Sequence, residues 1–358
     1  MAHQPNQVNP EINGRGIPYG WRQEQALSVD VRTNLEREEK KLEAAIERLL
    51  DNMEAGADVG LRLKTRRAEL DALRVRLASD GWTFAGDGNL AGLVSGGATR
   101  DSHRTLWEES ERGWEERAPI EGLAATCLAA TSAGLLVGTE QGHLLTLTGD
   151  ALEPVEAFDA TEGRDTWYTP WGDPADVRSI ASAVDGTIHV NVHVGGVARS
   201  RDRGRSWAPT MDIENDVHQV LAHPTRGDVV LVASAEGFGV SRDGGGSWQL
   251  VTAGLHAHYL RAVAVANDIV LVSASTGPGG RRSALYRKRL DSDGAFERCR
   301  DGLPTWFDAN IDTACLAADG PVVVCGTEDG RIFQSLDGGE RWQMRAKGLP
   351  PVTSVTLV

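Results

Sequence analysis

The chain has 358 residues, 41% apolar and 25% charged, which is enough to bury a large core and ordinary for a soluble globular protein. Its formal charge of −14 argues against a nucleic-acid backbone as the main partner, since that role needs clustered Lys and Arg. No apolar run approaches the roughly 18 residues of a membrane span, and Cys127, Cys299, Cys315 and Cys325 lack the C-x-x-C spacing of a zinc site or a disulfide framework.

Residues 1–27 open with "MAHQPNQVNPEINGRG", which has no charged-then-apolar leader pattern; they read as an N-terminal arm, and the expected location is the cytoplasm. Over residues 28–81 the period is helical. Leu35, Leu42 and Leu49 recur every seven residues beside Ile46 and Met53, and a second stripe runs through Leu63, Leu70, Leu73 and Leu77. The glycine in "MEAGAD" interrupts them, so a helical hairpin is expected. Short heptads of this kind suit docking onto a partner or a second copy as a coiled coil.

Residues 82–358 switch to short β runs separated by Gly and Asp turns. Five segments repeat one strand: "LAATCLAAT" from Leu123, "VRSIASAV" from Val177, "VHQVLAHP" from Val217, "LRAVAVAN" from Leu260 and "IDTACLAAD" from Ile311. A sixth, "VTSVTLV" from Val352, ends the sequence, and successive starts lie 54, 40, 43, 51 and 41 residues apart. Each of the first five is followed by further strands, so the pattern is four strands per unit, the mark of a mainly β, β-propeller fold. Six blades are expected, with seven as the alternative. The stretch before the first full unit offers "GNLAGLV", "HRTLWEES" and "GWEERAPI" but no evident innermost strand, so the C-terminal strand is expected to supply it and close the ring.

Three octets share the frame S-x-D-x-G-x-x-W: Ser200, Asp202, Gly204 and Trp207; Ser241, Asp243, Gly245 and Trp248; Ser335, Asp337, Gly339 and Trp342. The Asp can accept turn N–H bonds, the Gly permits positive φ, and the Trp is a large apolar plug. This frame resembles the Asp-box of bacterial neuraminidase (BNR) repeats, and the chain is similar to sialidase-like and WD-type bacterial propellers. The resemblance implies that the box is structural, at the turn between a blade's third and fourth strands, and that any ligand lies on the opposite face. That face would be built from the loops entering each innermost strand and the turns between second and third strands.

Those loops carry the candidate ligand residues: Trp171 and Arg178, His193, His218, His258 with Tyr259 and Arg261, and Trp306 with Asp308 and Asn310. Asp216 stands in the same "NDVH" stretch as His218, and Asp312 follows Asn310. Aromatics beside carboxylates and Arg suit a carbohydrate or another polar small ligand. For a sialidase, the resemblance implies an Arg triad, a Tyr nucleophile and an Asp acid/base; Tyr259, Asp173 and Asp308 are the catalytic candidates, but the F/Y-R-I-P motif is absent. His256 and His258 stand at i and i+2 without a third ligand, and His189 and His193 are too far apart along one extended strand to share an ion. No metal or other cofactor is expected. The reading leans away from an enzyme, toward a non-catalytic interaction or scaffold propeller whose helical arm docks into a larger assembly. The alternative is a sialidase-like glycoside hydrolase or lyase at the channel mouth.

Overall fold

The computed structural model describes residues 40, 41, 43–46, 48, 81–86, 89–94, 105–110, 113–169 and 172–357. Residues 40, 41, 43–46 and 48 are helical, as the heptads predict; the rest of the expected hairpin and the arm lie outside the described residues.

Among the described residues, twenty-four strands form six antiparallel sheets of four, each from consecutive stretches of chain. The first holds β1 (Gly81–Gly86), β2 (Asn89–Val94), β3 (Thr105–Ser110) and β4 (Gly113–Pro119). The second holds β5 (Ala125–Thr131), β6 (Gly134–Thr139), β7 (Leu144–Thr148) and β8 (Ala151–Pro154). The third holds β9 (Val177–Ser182), β10 (Ile188–Val192), β11 (Gly196–Ser200) and β12 (Ala208–Met211). Next come β13 (Val217–Ala222), β14 (Val230–Ser234), β15 (Gly237–Ser241) and β16 (Gln249–Val251). The fifth sheet holds β17 (Tyr259–Ala266), β18 (Ile269–Ser275), β19 (Ala284–Arg289) and β20 (Glu297–Arg298). The last holds β21 (Leu316–Asp319), β22 (Val322–Gly326), β23 (Ile332–Ser335) and β24 (Gln343–Ala346). The first strands of successive sheets, β1, β5, β9, β13, β17 and β21, lie side by side in that order.

Two expectations about the chain ends need correcting. The first sheet has its own first strand, β1, whose "GWTFAG" pairs in register with β2 from Gly81↔Val94 to Gly86↔Asn89. The C-terminal segment is therefore not the fourth member of that sheet. It packs instead on the last sheet, where Val352 N donates to Thr327 O at 3.0 Å and Val355 N to Ala314 O at 2.8 Å. The reason is steric as well as polar: Gly326 has no side chain, and a Cβ there would stand 2.3 Å from Val352 Cγ1.

The apolar cores lie between sheets. Val190, Val192 and Trp207 of the third sheet meet Leu136 and Leu144 of the second around Phe158. Val197 and Met211 meet Val220 and Val232 across the next boundary. Phe238 and Leu260 do so between the fourth and fifth sheets, and Leu271, Leu285, Phe333 and Trp342 between the fifth and sixth. All four cysteines are free and buried, three of them beside the last sheets.

The three S-x-D-x-G-x-x-W octets form the turns β11–β12, β15–β16 and β23–β24. In the first, Asp202 accepts from Ser206 N at 2.9 Å and from the Ser200 and Ser206 hydroxyls at 2.8 and 2.6 Å, while Gly204 N donates to Ser200 Oγ. Asp337 repeats this with Glu340 N and Arg341 N at 3.0 and 2.9 Å. Trp207 and Trp342 donate their indole N–H to Gly204 O and Gly339 O at 3.1 Å, while Trp248 Nε1 is buried without a partner.

Candidate functional site

At or near the start of five sheets stands a buried apolar residue followed by one that faces the other way, as strand alternation requires. The pairs are Ala125–Thr126, Val177–Arg178, Val217–His218, Leu260–Arg261 and Ile311–Asp312, the last in the lead-in to β21. A side chain of the preceding sheet bonds the carbonyl of the apolar member: Thr126 Oγ1 to Val177 O at 2.5 Å, Asn191 Nδ2 to Val217 O at 2.6 Å, and Ser273 Oγ to Ile311 O at 2.8 Å. His218 Nδ1 does the same to Leu260 O at 2.5 Å, and Cys315 Sγ to Val352 O at 3.3 Å. These rungs fix the rotation of each sheet against the next, so Arg178, His218, Arg261 and Asp312 occupy equivalent positions on four neighbouring sheets.

Arg261 is almost wholly buried, 1% exposed, and is clamped at both ends of its guanidinium. Nη1 pairs with Asp312 Oδ1 at 3.0 Å and Nη2 donates to Tyr259 OH at 3.1 Å. The Tyr259 ring packs on His218 with centroids 4.7 Å apart. Asp216, just before β13, stands between two imidazoles: Oδ1 is 3.3 Å from His193 Nε2, and Oδ2 is 3.5 Å from His218 Nε2. His193 reaches it from the β10–β11 turn, where its backbone N bonds Asp176 O at 2.9 Å. Arg178 completes the group, with Nη1 buried and without a hydrogen-bond partner.

Burial and mutual charge set the protonation of this cluster. Burial, then the neighbouring Arg261 charge, push the Arg178 guanidinium down from its usual range. Burial is also the main cause pushing His193 down, against its contact with Asp216, and it takes His218 to about 4. For Asp216, burial is the largest single effect and pushes upward, but its two imidazole contacts together hold the carboxyl well below the usual range. Burial raises the Tyr259 phenol, with Arg261 opposing.

Arg178, His193, His218, Tyr259 and Arg261 are thus brought together, as their loops suggested. The other candidates are not. His258, Asp173 and Asp308 are exposed and make none of the contacts above. Trp306 sits under Arg298, 3.7 Å from the guanidinium carbon to the ring centroid, and 4.8 Å from the His256 ring. Asn310 donates to Pro278 O at 3.2 Å, a turn-holding role. Trp171 lies outside the described residues. Asp216 and Asp312, carried by the same loops but outside the ligand set drawn from them, prove central; the signal is their place one residue before and one after the apolar residue of the strand start.

No protein-family model matches the chain, and no curated protein matches it by sequence. Among solved structures it is similar to the GH74 enzyme of Niastella koreensis, with 12% identity, a TM-score of 0.50, and coverage of 74% of this chain and 45% of that one. It is also similar to the WD40 repeats of RRP9, at 13% identity and a TM-score of 0.51, covering 77% and 86% of the two chains. The extracellular domain of the one component system BT4673 from B. thetaiotaomicron gives 13% identity and a TM-score of 0.51 over 74% and 33%. The chain spans under half the length of the first and a third of the last. At these identities the likeness is one of fold, and the fold is a β-propeller of about six blades.

Proposed function

We propose that the chain is a non-catalytic binding propeller of the BNR type that takes a small anionic ligand, such as an acidic sugar, between Arg178 and Arg261. One observation carries the reading: Arg178 Nη1 is buried without a hydrogen-bond partner, beside a second guanidinium whose charge disfavours its own. Guanidinium donors without a partner match the oxygens of a carboxylate or phosphate, which also neutralises the paired positive charge. The three S-x-D-x-G-x-x-W turns support the BNR assignment. A protein partner at the helical arm belongs to the same reading and rests on the spacing of Leu35, Leu42 and Leu49.

The hydrolase alternative is weaker here. A Tyr nucleophile needs its phenol activated, whereas burial raises that of Tyr259, and Arg261 donates to its oxygen rather than accepting its proton. Asp173 and Asp308 are exposed and make no contact with Tyr259, so neither is placed beside it as an acid/base partner.

Calorimetric titration with glucuronate, a sugar phosphate and neutral glucose tests this. The acidic ligands should bind and glucose should not. Arg178→Met should weaken binding by roughly ten- to a hundredfold, the value of a charge-assisted bond. Equal binding of glucose, or an unaffected Arg178→Met, would remove the reading. Turnover of a fluorogenic glucuronide that vanishes in Tyr259→Phe would install the hydrolase in its place.

A further inference from the structure

We propose that His193, Asp216 and His218 form a site for one divalent transition-metal ion of the zinc type, leaving a coordination position open. One ligand atom from each lies within 4.8 Å of the others. The closest pairs, His193 Nε2 to Asp216 Oδ1 at 3.3 Å and His218 Nε2 to Asp216 Oδ2 at 3.5 Å, place each imidazole against its own oxygen of the one carboxylate, at about the spacing that neighbouring ligand atoms keep around an ion with 2.0–2.1 Å bonds.

The hydrogen-bond geometry of His218 is what makes this more than proximity. Its Nδ1 is 2.5 Å from Leu260 O, and a carbonyl only accepts, so the proton sits on Nδ1. Nε2 therefore presents a lone pair, and what faces it at 3.5 Å is another lone pair, that of Asp216 Oδ2. Both His218 Nε2 and Asp216 Oδ1 are buried and make no hydrogen bond. Two acceptors buried face to face repel unless something positive lies between them. A proton on Nε2 could serve Oδ2 only; a metal ion engages both carboxylate oxygens' side of the site and both imidazoles at once. A ligating imidazole that donates its other N–H to a backbone carbonyl is the usual outer support of a metal site.

The donor set selects the ion. Two imidazoles and one carboxylate suit zinc or iron(II) rather than calcium or magnesium, which prefer all-oxygen shells. Val194, next to His193, and Asp216 both stand at φ 43°, a conformation Asp adopts readily but one that is costly for the β-branched valine. The ligands come from two neighbouring sheets, so histidine spacing along any single strand does not reveal them.

This inference does not depend on the anion reading, and one variant separates them. Arg178 stands close enough to act on the His193 and His218 charges, so it also opposes a bound cation. Arg178→Met should tighten zinc binding while weakening the acidic ligand.

The test is titration of chelator-treated full-length protein with Zn²⁺ against a chromophoric competitor, with Co²⁺ as the visible reporter. One equivalent should bind, with intense Co²⁺ absorption of a four- or five-coordinate site. His193→Gln and Asp216→Asn should each weaken Zn²⁺ by more than the roughly 10–100-fold cost of losing an outer partner, while His258→Gln changes nothing. Zn²⁺ should raise the melting temperature of the unsubstituted chain but not of Asp216→Asn, and the metal-free melting temperatures show whether each variant is folded. Failure to bind one equivalent, or binding undiminished in both folded variants, overturns the site and leaves a shared proton as the occupant.

Discussion

Asp243 accepts four hydrogen bonds in its turn, from Gly246 N and Ser247 N at 2.8 Å and from the Ser241 and Ser247 hydroxyls at 2.8 and 2.7 Å. All are local, so their role is to hold one turn shape, and they lie at the end of the sheet away from the strand starts that carry the cluster. Asp243→Ala should cost about 1–2 kcal/mol in urea denaturation, the value of a lost capping interaction, with ligand affinity unchanged. A loss of ligand binding at unchanged stability would contradict a structural turn. His189 makes a different point. It is fully buried with neither ring nitrogen bonded, and burial takes it from 6.5 to about 4. The unfolded chain therefore takes up a proton near pH 6.5 that the folded chain refuses until about pH 4. Its contribution to stability is whole above pH 6.5 and is lost as pH falls through that window. Relative to His189→Leu, the unsubstituted chain should lose about 2–3 kcal/mol between pH 7 and pH 4.5. Parallel stability curves for the two would show that His189 is not the group responsible. The polar residues of the cluster were legible one by one, because a charged residue inside an apolar strand start stands out. Their partners were not: Asp216 meets His193 only because two sheets are rotated into contact, and no spacing along the chain encodes that rotation.

At the scale of the strand, alternation and turn chemistry were enough to place most elements. β9 and β13 begin at Val177 and Val217, the residues from which the repeat was counted. β21 begins later than its repeat suggests, at Leu316, because Ile311 and Asp312 are spent on the interface rung and the Arg261 pair. The missing piece was β1, whose glycine-bounded "GWTFAG" has too short an alternation to compete with the plainly β-rich C-terminal segment. That segment does copy an innermost strand in one respect: Val352 O receives a rung from Cys315 as the other strand starts do from theirs. Its seat depends on Gly326, where a Cβ would come 2.3 Å from Val352 Cγ1 and 3.1 Å from Val355 Cγ1. Gly326→Ala should therefore destabilise by about 1–3 kcal/mol, the usual cost of overpacking. Combining it with Val352→Ala should recover much of that loss in a double-mutant cycle. Additive effects would mean that the C-terminal residues are not seated on the last sheet.

For the molecule as a whole, the apolar clusters matter more than the sheets. Each sheet from the second to the fifth presents one face to the sheet before it and one to the sheet after, so its apolar residues belong to clusters shared with its neighbours. Phe238 shows the consequence: it is 1% exposed, belongs to the fourth sheet, and packs edge-to-face on Phe296 beyond β19, with centroids 5.4 Å apart. Removing one sheet would expose half of two clusters, so the sheets should not melt separately despite their repeat-like sequence. In an open solenoid, by contrast, neighbours contribute independent increments and ends fray first. Phe238→Ala leaves a cavity worth about 3–5 kcal/mol. By calorimetry its effect should appear as a shift of one transition for the five sheets, with calorimetric and van't Hoff enthalpies in agreement. A second, lower transition confined to the fourth and fifth sheets would mean that the boundaries are weaker than the sheets. The cluster around Asp216 and Arg261 would then sit on a hinge rather than on a rigid scaffold. Cooperative melting is what a cluster assembled from the third, fourth, fifth and sixth sheets requires, since Arg178, His218, Arg261 and Asp312 keep their spacing only while all three boundaries hold.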